Sequence, residues 1–171
     1  MKKKILILKN DRAGDLISSL RLIYKLTEGN EVNIYLSEIN YNFQFLLNKS
    51  NVKKINFNLT FNDKISIIND IKKNNYDEIF ILCPKNFYYF LPFIFRKIKF
   101  YAIVINGIKR NRPFFWLRKY LWKFSIRYRD RINHKNVIQS NLSLINADMS
   151  LNFNHLNLND LDSRVRTIIS D

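Results

Sequence analysis

The residues best suited to ligand chemistry lie in one short polar segment near the amino terminus. Gly14 and Asp15 stand after an apolar run and at the head of a periodic apolar pattern. The order predicts a strand-to-helix turn, where a glycine lets a ligand approach the backbone and free N–H groups can meet it. This turn is therefore the predicted binding corner. A second interpretation, which position alone favours, is that Asp15 only caps the helix.

Other kinds of site find little support in the sequence. The segment Lys9 to Asp15 (KNDRAGD) has one glycine, so it matches neither the G-x-G-x-x-G fingerprint nor a phosphate loop. The sequence has two histidines, His134 and His155, and one cysteine, Cys83. These provide no metal-ligand cluster and no nucleophile–histidine pair at a recognisable spacing. Hydrolase and metalloenzyme functions are thus disfavoured, and no metal site is predicted.

The single cysteine and the lengths of the apolar runs indicate in which cellular compartment the chain is expected. Cys83 closes a hydrophobic run, where a small buried thiol fits, and a single cysteine cannot form an internal disulfide. Ile5 to Leu8 is too short for the core of a signal peptide. The longest nearly uncharged apolar stretch, Asn86 to Phe95, has ten residues, whereas a spanning helix needs ~20. We therefore expect a cytoplasmic chain that does not cross a membrane.

Positive charge is concentrated in the region that begins at Lys85. From there to Lys135 the sequence has fourteen Lys or Arg residues and a single acid, Asp130, so this region accounts for +13 of the formal net charge of +15. A cluster of one sign predicts a polyanionic partner: membrane phosphates, a phosphorylated lipid or a nucleic acid. The alternative is a solvated basic face that only aids solubility.

Strand and helix patterns alternate along a chain long enough for one domain. Strands are predicted at Lys4 to Lys9, Val32 to Leu36, Val52 to Phe57, Asp77 to Cys83 and Tyr101 to Ile105. Helices are predicted at Leu16 to Leu26, Tyr41 to Leu47, Asp63 to Lys73, Phe87 to Arg96, Pro113 to Tyr128, Val137 to Ala147 and Leu161 to Ile169. In the third of these, Asp63 is the expected N-cap, and Ile65, Ile68 and Ile71 share one side. The alternation predicts an α/β fold, a parallel sheet with helices on both faces and functional loops at the carboxyl ends of its strands.

Three segments, in the right order, resemble the lipopolysaccharide heptosyltransferases, glycosyltransferase family nine. The stretch Ile5 to Leu26 resembles the family's opening, a hydrophobic strand followed by D-R-x-G-D and an amphipathic helix, with Asp11, Arg12, Gly14 and Asp15 matching the motif. Asn75 to Leu82 (NYDEIFIL) is similar to the family's tyrosine–aspartate segment and buried strand. Asn133 to Ile145 is similar to its histidine-led helix. The sequence departs from the family at Arg21, where a proline is common.

The resemblance implies one half of a GT-B glycosyltransferase. Residues 1–147 would form the acceptor-side, Rossmann-like domain, and residues 148–171 would connect to a donor-binding domain that this sequence lacks. Asp15 matches the aspartate proposed as general base in an inverting transfer. Lys9, Asp11, Arg12 and Gly14 would bind the acceptor. His134 would lie near the cleft or merely begin its helix.

Partners and cofactors follow from the same resemblance. A nucleotide-sugar donor is expected only with a second domain, so the chain would be inactive alone, and it would be a truncated or a split enzyme. The family's acceptor is a phosphorylated lipopolysaccharide precursor in the cytoplasmic leaflet. We therefore expect peripheral attachment to the inner face of the cytoplasmic membrane, through Arg112, Trp116, Arg118, Lys119, Trp122 and Lys123. The alternative is that these aromatic side chains face the core.

Two functions of other classes stay open. One is a noncatalytic module at the membrane surface, derived from the transferase. The other is a nucleic-acid-binding protein, which the net charge favours. The sequence has no RNP, KH or helix-turn-helix signature, and its aromatic residues lie mostly in apolar runs, so nucleic acid is the less favoured partner.

Overall fold

The computed structural model of the protein describes residues 2–47, 49–83, 85–104, 127–130 and 137–145. Its strands are β1 (Lys4–Lys9), β2 (Glu31–Ser37), β3 (Asn51–Ile55), β4 (Glu78–Ile81), β5 (Lys99–Val104) and β6 (Arg127–Asp130). Its α-helices are α1 (Ala13–Ile17), α2 (Leu20–Thr27), α3 (Glu38–Tyr41), α4 (Phe61–Asn74), α5 (Leu91–Ile94) and α6 (Val137–Leu142). Short 3₁₀ turns follow at Gln44–Leu47, Tyr88–Phe90 and Ser143–Ile145.

The six strands form one sheet in the order β3-β2-β1-β4-β5-β6, and every neighbouring pair is parallel. This is the strand order of the Rossmann fold, so the predicted α/β class is confirmed. The chain leaves β1 toward β2 on one side and later returns to place β4 on the other side. In open parallel sheets the crevice at such a reversal, at the carboxyl ends of the strands, is where ligands bind.

Helices cover both faces of the sheet because the strands are apolar on both sides. Leu6 and Leu8 of β1 pack in the cluster that contains α4 and α5 residues, whereas Ile5 and Ile7 pack in the cluster that contains α1, α2 and α6 residues. All four side chains are at most 1% exposed. This double burial explains why the strand sequence KILILK is a continuous apolar run.

The start of α4 differs from the prediction. Thr60 is the N-cap, with its hydroxyl accepting the Asp63 N–H, while the Asp63 carboxylate accepts the Thr60 N–H. Asp63 is thus the third helical residue of a capping box and not the cap itself. Burial acts to raise the pKa of Asp63, but hydrogen bonds from Asn56 and Thr60 outweigh it and lower that pKa.

The capping box gives a stability prediction. Thr60→Ala is expected to lower the free energy of unfolding by about 1 kcal/mol, because it leaves a helix-end N–H without its acceptor. Urea denaturation measures this change, with Thr60→Ser as the control that keeps the hydroxyl. Equal stability of the two variants would show that the cap contributes nothing.

Two further predictions are corrected by the packing. Ile67 and Ile71 are the buried residues of α4, whereas Ile65 is 40% exposed, so the buried side of the helix is not the one predicted to contain Ile65, Ile68 and Ile71. The helix predicted to run to Tyr128 is wrong at its end, because Arg127 and Tyr128 belong to β6 and pair with β5. The predicted helix Leu161 to Ile169 and the proposed connecting segment 148–171 lie outside the described residues.

Candidate functional site

The candidate site lies where β1 and β4 end side by side. Lys9, the last residue of β1, is 3% exposed, and its Nζ lies 2.7 Å from Asp11 Oδ2. The same ammonium donates to the Leu82 carbonyl oxygen at 3.2 Å. Lys9 therefore joins the first strand to the end of the fourth. Its ammonium is committed to protein groups, and its predicted contact with an acceptor stays a prediction.

Asn10 fixes the two loops beside β1. It is fully buried, its Nδ2 donates to the Asn56 carbonyl oxygen at 3.1 Å, and its Oδ1 accepts the Tyr88 hydroxyl at 2.6 Å. Burial raises the pKa of Tyr88 well above its ordinary value, so the hydroxyl stays protonated and donates. Sequence reasoning missed Asn10. The available signal was an amide directly after a buried strand.

Asp11 is held between opposing electrostatic effects. Burial raises the pKa of its carboxyl, the neighbouring Lys9 ammonium opposes that rise, and the Asp15 carboxylate adds to it. Its Oδ1 is buried and has no hydrogen-bond partner among the described residues. Its backbone carbonyl accepts the Ser37 hydroxyl at 2.9 Å, which ties the loop to the end of β2. Asp11 is thus a partly satisfied buried acid that supports the loop.

Arg12, Gly14 and Asp15 form the exposed part of the site. Arg12 is the N-cap of α1 without a side-chain cap, and Asp15 is the third helical residue, so the interpretation of Asp15 as the cap is wrong. Neither the Arg12 guanidinium nor the Asp15 carboxylate makes a hydrogen bond or ion pair with the described residues. A Cβ on Gly14 would meet open space, so the fold itself does not require glycine there. Among the described residues, an unpaired cation and an unpaired carboxylate therefore flank an open stretch of backbone.

The predicted continuous helix Leu16 to Leu26 is broken at Ser18 and Ser19, between α1 and α2. The hydroxyls of Ser18 and Ser19 donate to the Asp15 carbonyl oxygen at 2.8 and 2.9 Å, and α2 starts only at Leu20. Serine hydroxyls that bond back to the helix compete with its regular ladder, which explains the break. Asn141 of α6 stabilises it by donating to the Ser18 carbonyl oxygen at 3.1 Å. This long-range contact was not foreseen from the sequence.

Cys83 follows β4 and is 3% exposed, as predicted for a small buried thiol. Burial raises its pKa to about 12, and the Asp11 carboxylate adds to the rise. The reactive thiolate is therefore scarce at neutral pH. A thiol reagent is expected to label native Cys83 at least 100-fold more slowly than the urea-unfolded chain, because a pKa raised from 9.0 to about 12 lowers the thiolate fraction roughly 1,000-fold. Mass spectrometry measures the labelling rates, and equal rates for the native and the unfolded chain would contradict the burial of Cys83.

The remaining predicted residues cannot be placed. His134 and the predicted membrane-surface residues lie outside the described residues, the latter being Arg112, Trp116, Arg118, Lys119, Trp122 and Lys123. Within the described ranges no group of three or more His, Cys, Asp or Glu side chains is arranged to hold a metal ion. In the same part of the chain, no helix combines the length and apolarity needed to span a bilayer.

Comparisons with protein-family models, with curated proteins and with solved structures found no match to this chain. The resemblance to heptosyltransferases therefore rests on the quoted segments alone. The fold rests on the strand order and the two packed faces.

Proposed function

We propose that this chain is the acceptor-binding half of an inverting glycosyltransferase, with Asp15 as the general base. The observation that carries the proposal is the exposed Asp15 carboxylate at the carboxyl edge of a Rossmann-ordered sheet, where it has no partner among the described residues. A general base must be free to accept a proton and must face the space where the substrate binds. Asp15 is exposed and makes no hydrogen bond or ion pair with the described residues, which supports this role, whereas Asp11 pairs with Lys9.

The proposed chemistry assigns one step to this half of the enzyme. The Asp15 carboxylate takes the proton of an acceptor hydroxyl as that oxygen attacks the anomeric carbon of the donor sugar. The bond from that carbon to the nucleoside diphosphate breaks, and the configuration inverts. The exposed Arg12 guanidinium would bind a phosphate of the acceptor, and the open backbone at Gly14 would let the acceptor approach.

The donor has to be bound by a second domain, so we propose a separate donor-binding domain as the partner. The acceptor we propose is a phosphorylated lipopolysaccharide precursor at the inner face of the cytoplasmic membrane.

The test is sugar transfer to such a precursor, measured for the chain alone and for the chain supplied with a donor-binding domain. Transfer that requires both halves and depends on Asp15 supports the proposal. Failure to transfer with any nucleotide sugar, together with retained vesicle binding, would favour the noncatalytic membrane-surface module.

A further inference from the structure

A second feature lies at the opposite edge of the sheet, where the strands begin. A cleft of about 860 Å³ opens between the end of α4, the residues before β4 and the connection from α5 to β5. Six of its fifteen lining residues are Lys or Arg. Apart from Lys3, its exposed basic residues are Lys2, Lys72, Arg96, Lys97 and Lys99.

The acids of this cleft are already engaged. Glu78 is buried and its carboxylate lies 2.7 Å from Lys3 Nζ. The Asp77 carboxylate accepts the Lys4 backbone N–H at 2.8 Å. By contrast, the side chains of the five exposed cations make no hydrogen bond or ion pair with the described part of the chain. The cleft thus presents a local excess of unpaired positive charge.

Two apolar side chains stand exposed beside these cations. Ile94, the last residue of α5, lines the cleft and is 53% exposed. Phe90 ends the 3₁₀ turn directly before α5 and is 52% exposed. An apolar pair flanked by cations is the composition of a surface that lies in a membrane interface.

We propose that this cleft is a membrane-docking surface, where the cations bind anionic lipid headgroups and Ile94 and Phe90 enter the apolar boundary. The charges complement an anionic leaflet, which gains from each nearby Lys or Arg. A soluble nucleotide fits less well, because the cations are exposed and the cleft has no buried donor left free among the described residues. A nucleic acid would bind the same cations through its phosphates, so its binding is measured beside vesicle binding.

This surface and the candidate site lie at opposite ends of the strands. Six residues of β1 at about 3.3 Å each separate them by roughly 20 Å. A membrane-anchored acceptor would therefore reach Asp15 only through a headgroup that extends roughly 20 Å from the bilayer. The inference does not depend on the transferase proposal, since docking can be measured without any sugar transfer.

The experiment is sedimentation of the chain with phosphatidylcholine vesicles that contain or lack phosphatidylglycerol. Arg96→Gln/Lys97→Gln is expected to lower the partition coefficient onto anionic vesicles by about 25-fold, about fivefold for each charge removed. The matched control is Lys54→Gln/Lys64→Gln, which removes the same charge from elsewhere on the described surface and should change partition less than about twofold. Ile94→Asn is expected to lower it about tenfold, with Ile65→Asn as its control.

Three results would overturn the proposal. The first is no binding to anionic vesicles. The second is an equal loss of vesicle binding in Arg96→Gln/Lys97→Gln and in Lys54→Gln/Lys64→Gln. The third is binding to single-stranded RNA that is tighter than binding to vesicles and is lost in Arg96→Gln/Lys97→Gln. The second result would mean that net charge alone drives binding, and the third would assign the cleft to nucleic acid. Circular dichroism melting of each variant separates loss of docking from loss of folding.

Discussion

Replacement of Asp15 by Asn is expected to lower kcat/KM for sugar transfer by about 100- to 10,000-fold, the range typical of a lost general base. Asn keeps the size and polarity of the side chain but cannot accept a proton. The carboxylate is exposed and makes no hydrogen bond or ion pair with the described residues, so the substitution removes no contact that holds the fold. The assay is initial-rate transfer to the phosphorylated precursor with the donor-binding domain present.

The control for Asp15→Asn is Glu31→Gln, which also neutralises an exposed acid but does so at the amino edge of the sheet. It should keep nearly native activity. Because neither variant should unfold the protein, the two should melt at similar temperatures. Full activity of Asp15→Asn would exclude Asp15 from the mechanism and leave the membrane-docking proposal untouched.

Replacement of Lys9 by Met is expected to lower the free energy of unfolding by about 3–5 kcal/mol. Lys9 is 3% exposed and the Asp11 side chain is 14% exposed, so the variant leaves a largely buried carboxylate without its counter-charge. The Leu82 carbonyl oxygen loses a donor as well. Urea denaturation followed by circular dichroism measures the change.

The double variant Lys9→Met/Asp11→Leu separates the charge effect from packing. A pair of apolar side chains can replace a buried ion pair at little cost, whereas removing one partner cannot. The double variant should therefore recover most of the stability lost in Lys9→Met. A double variant as unstable as the single one would show that Lys9 stabilises the fold through packing or through Leu82 and not through Asp11.

The pH dependence of the Lys9→Met effect follows from the direction of the Asp11 shift. Burial raises the pKa of Asp11, so the folded chain holds this proton more tightly than the unfolded chain does. Stability from Asp11 is therefore present at low pH and is lost as pH rises from the unfolded value of 3.8 through the folded pKa. Without Lys9 the pKa rises further. The difference in unfolding free energy between Lys9→Met and the native protein should therefore narrow as pH falls, once Asp11 is protonated in both folded proteins.

The sequence by itself determined the layered α/β class and the location of the candidate corner. β1 matched its predicted bounds because KILILK is buried on both faces, and such runs have few other stable positions in a fold. The exposed Asp15 at the start of α1 followed from the strand-to-helix turn. These features are local, and local pattern is enough to predict them.

The tertiary structure decided which polar groups hold the site together. Asn10 joins Tyr88 across 78 positions and Asn141 joins Ser18 across 123, and no local pattern encodes such pairs. The inward side of α4 depended on how the helix meets the sheet, which is why Ile67 is buried and Ile65 is not. The amino-edge cleft exists only because strands distant in sequence start side by side. Long-range contacts form where the whole chain packs, and they cannot be read from neighbours along it.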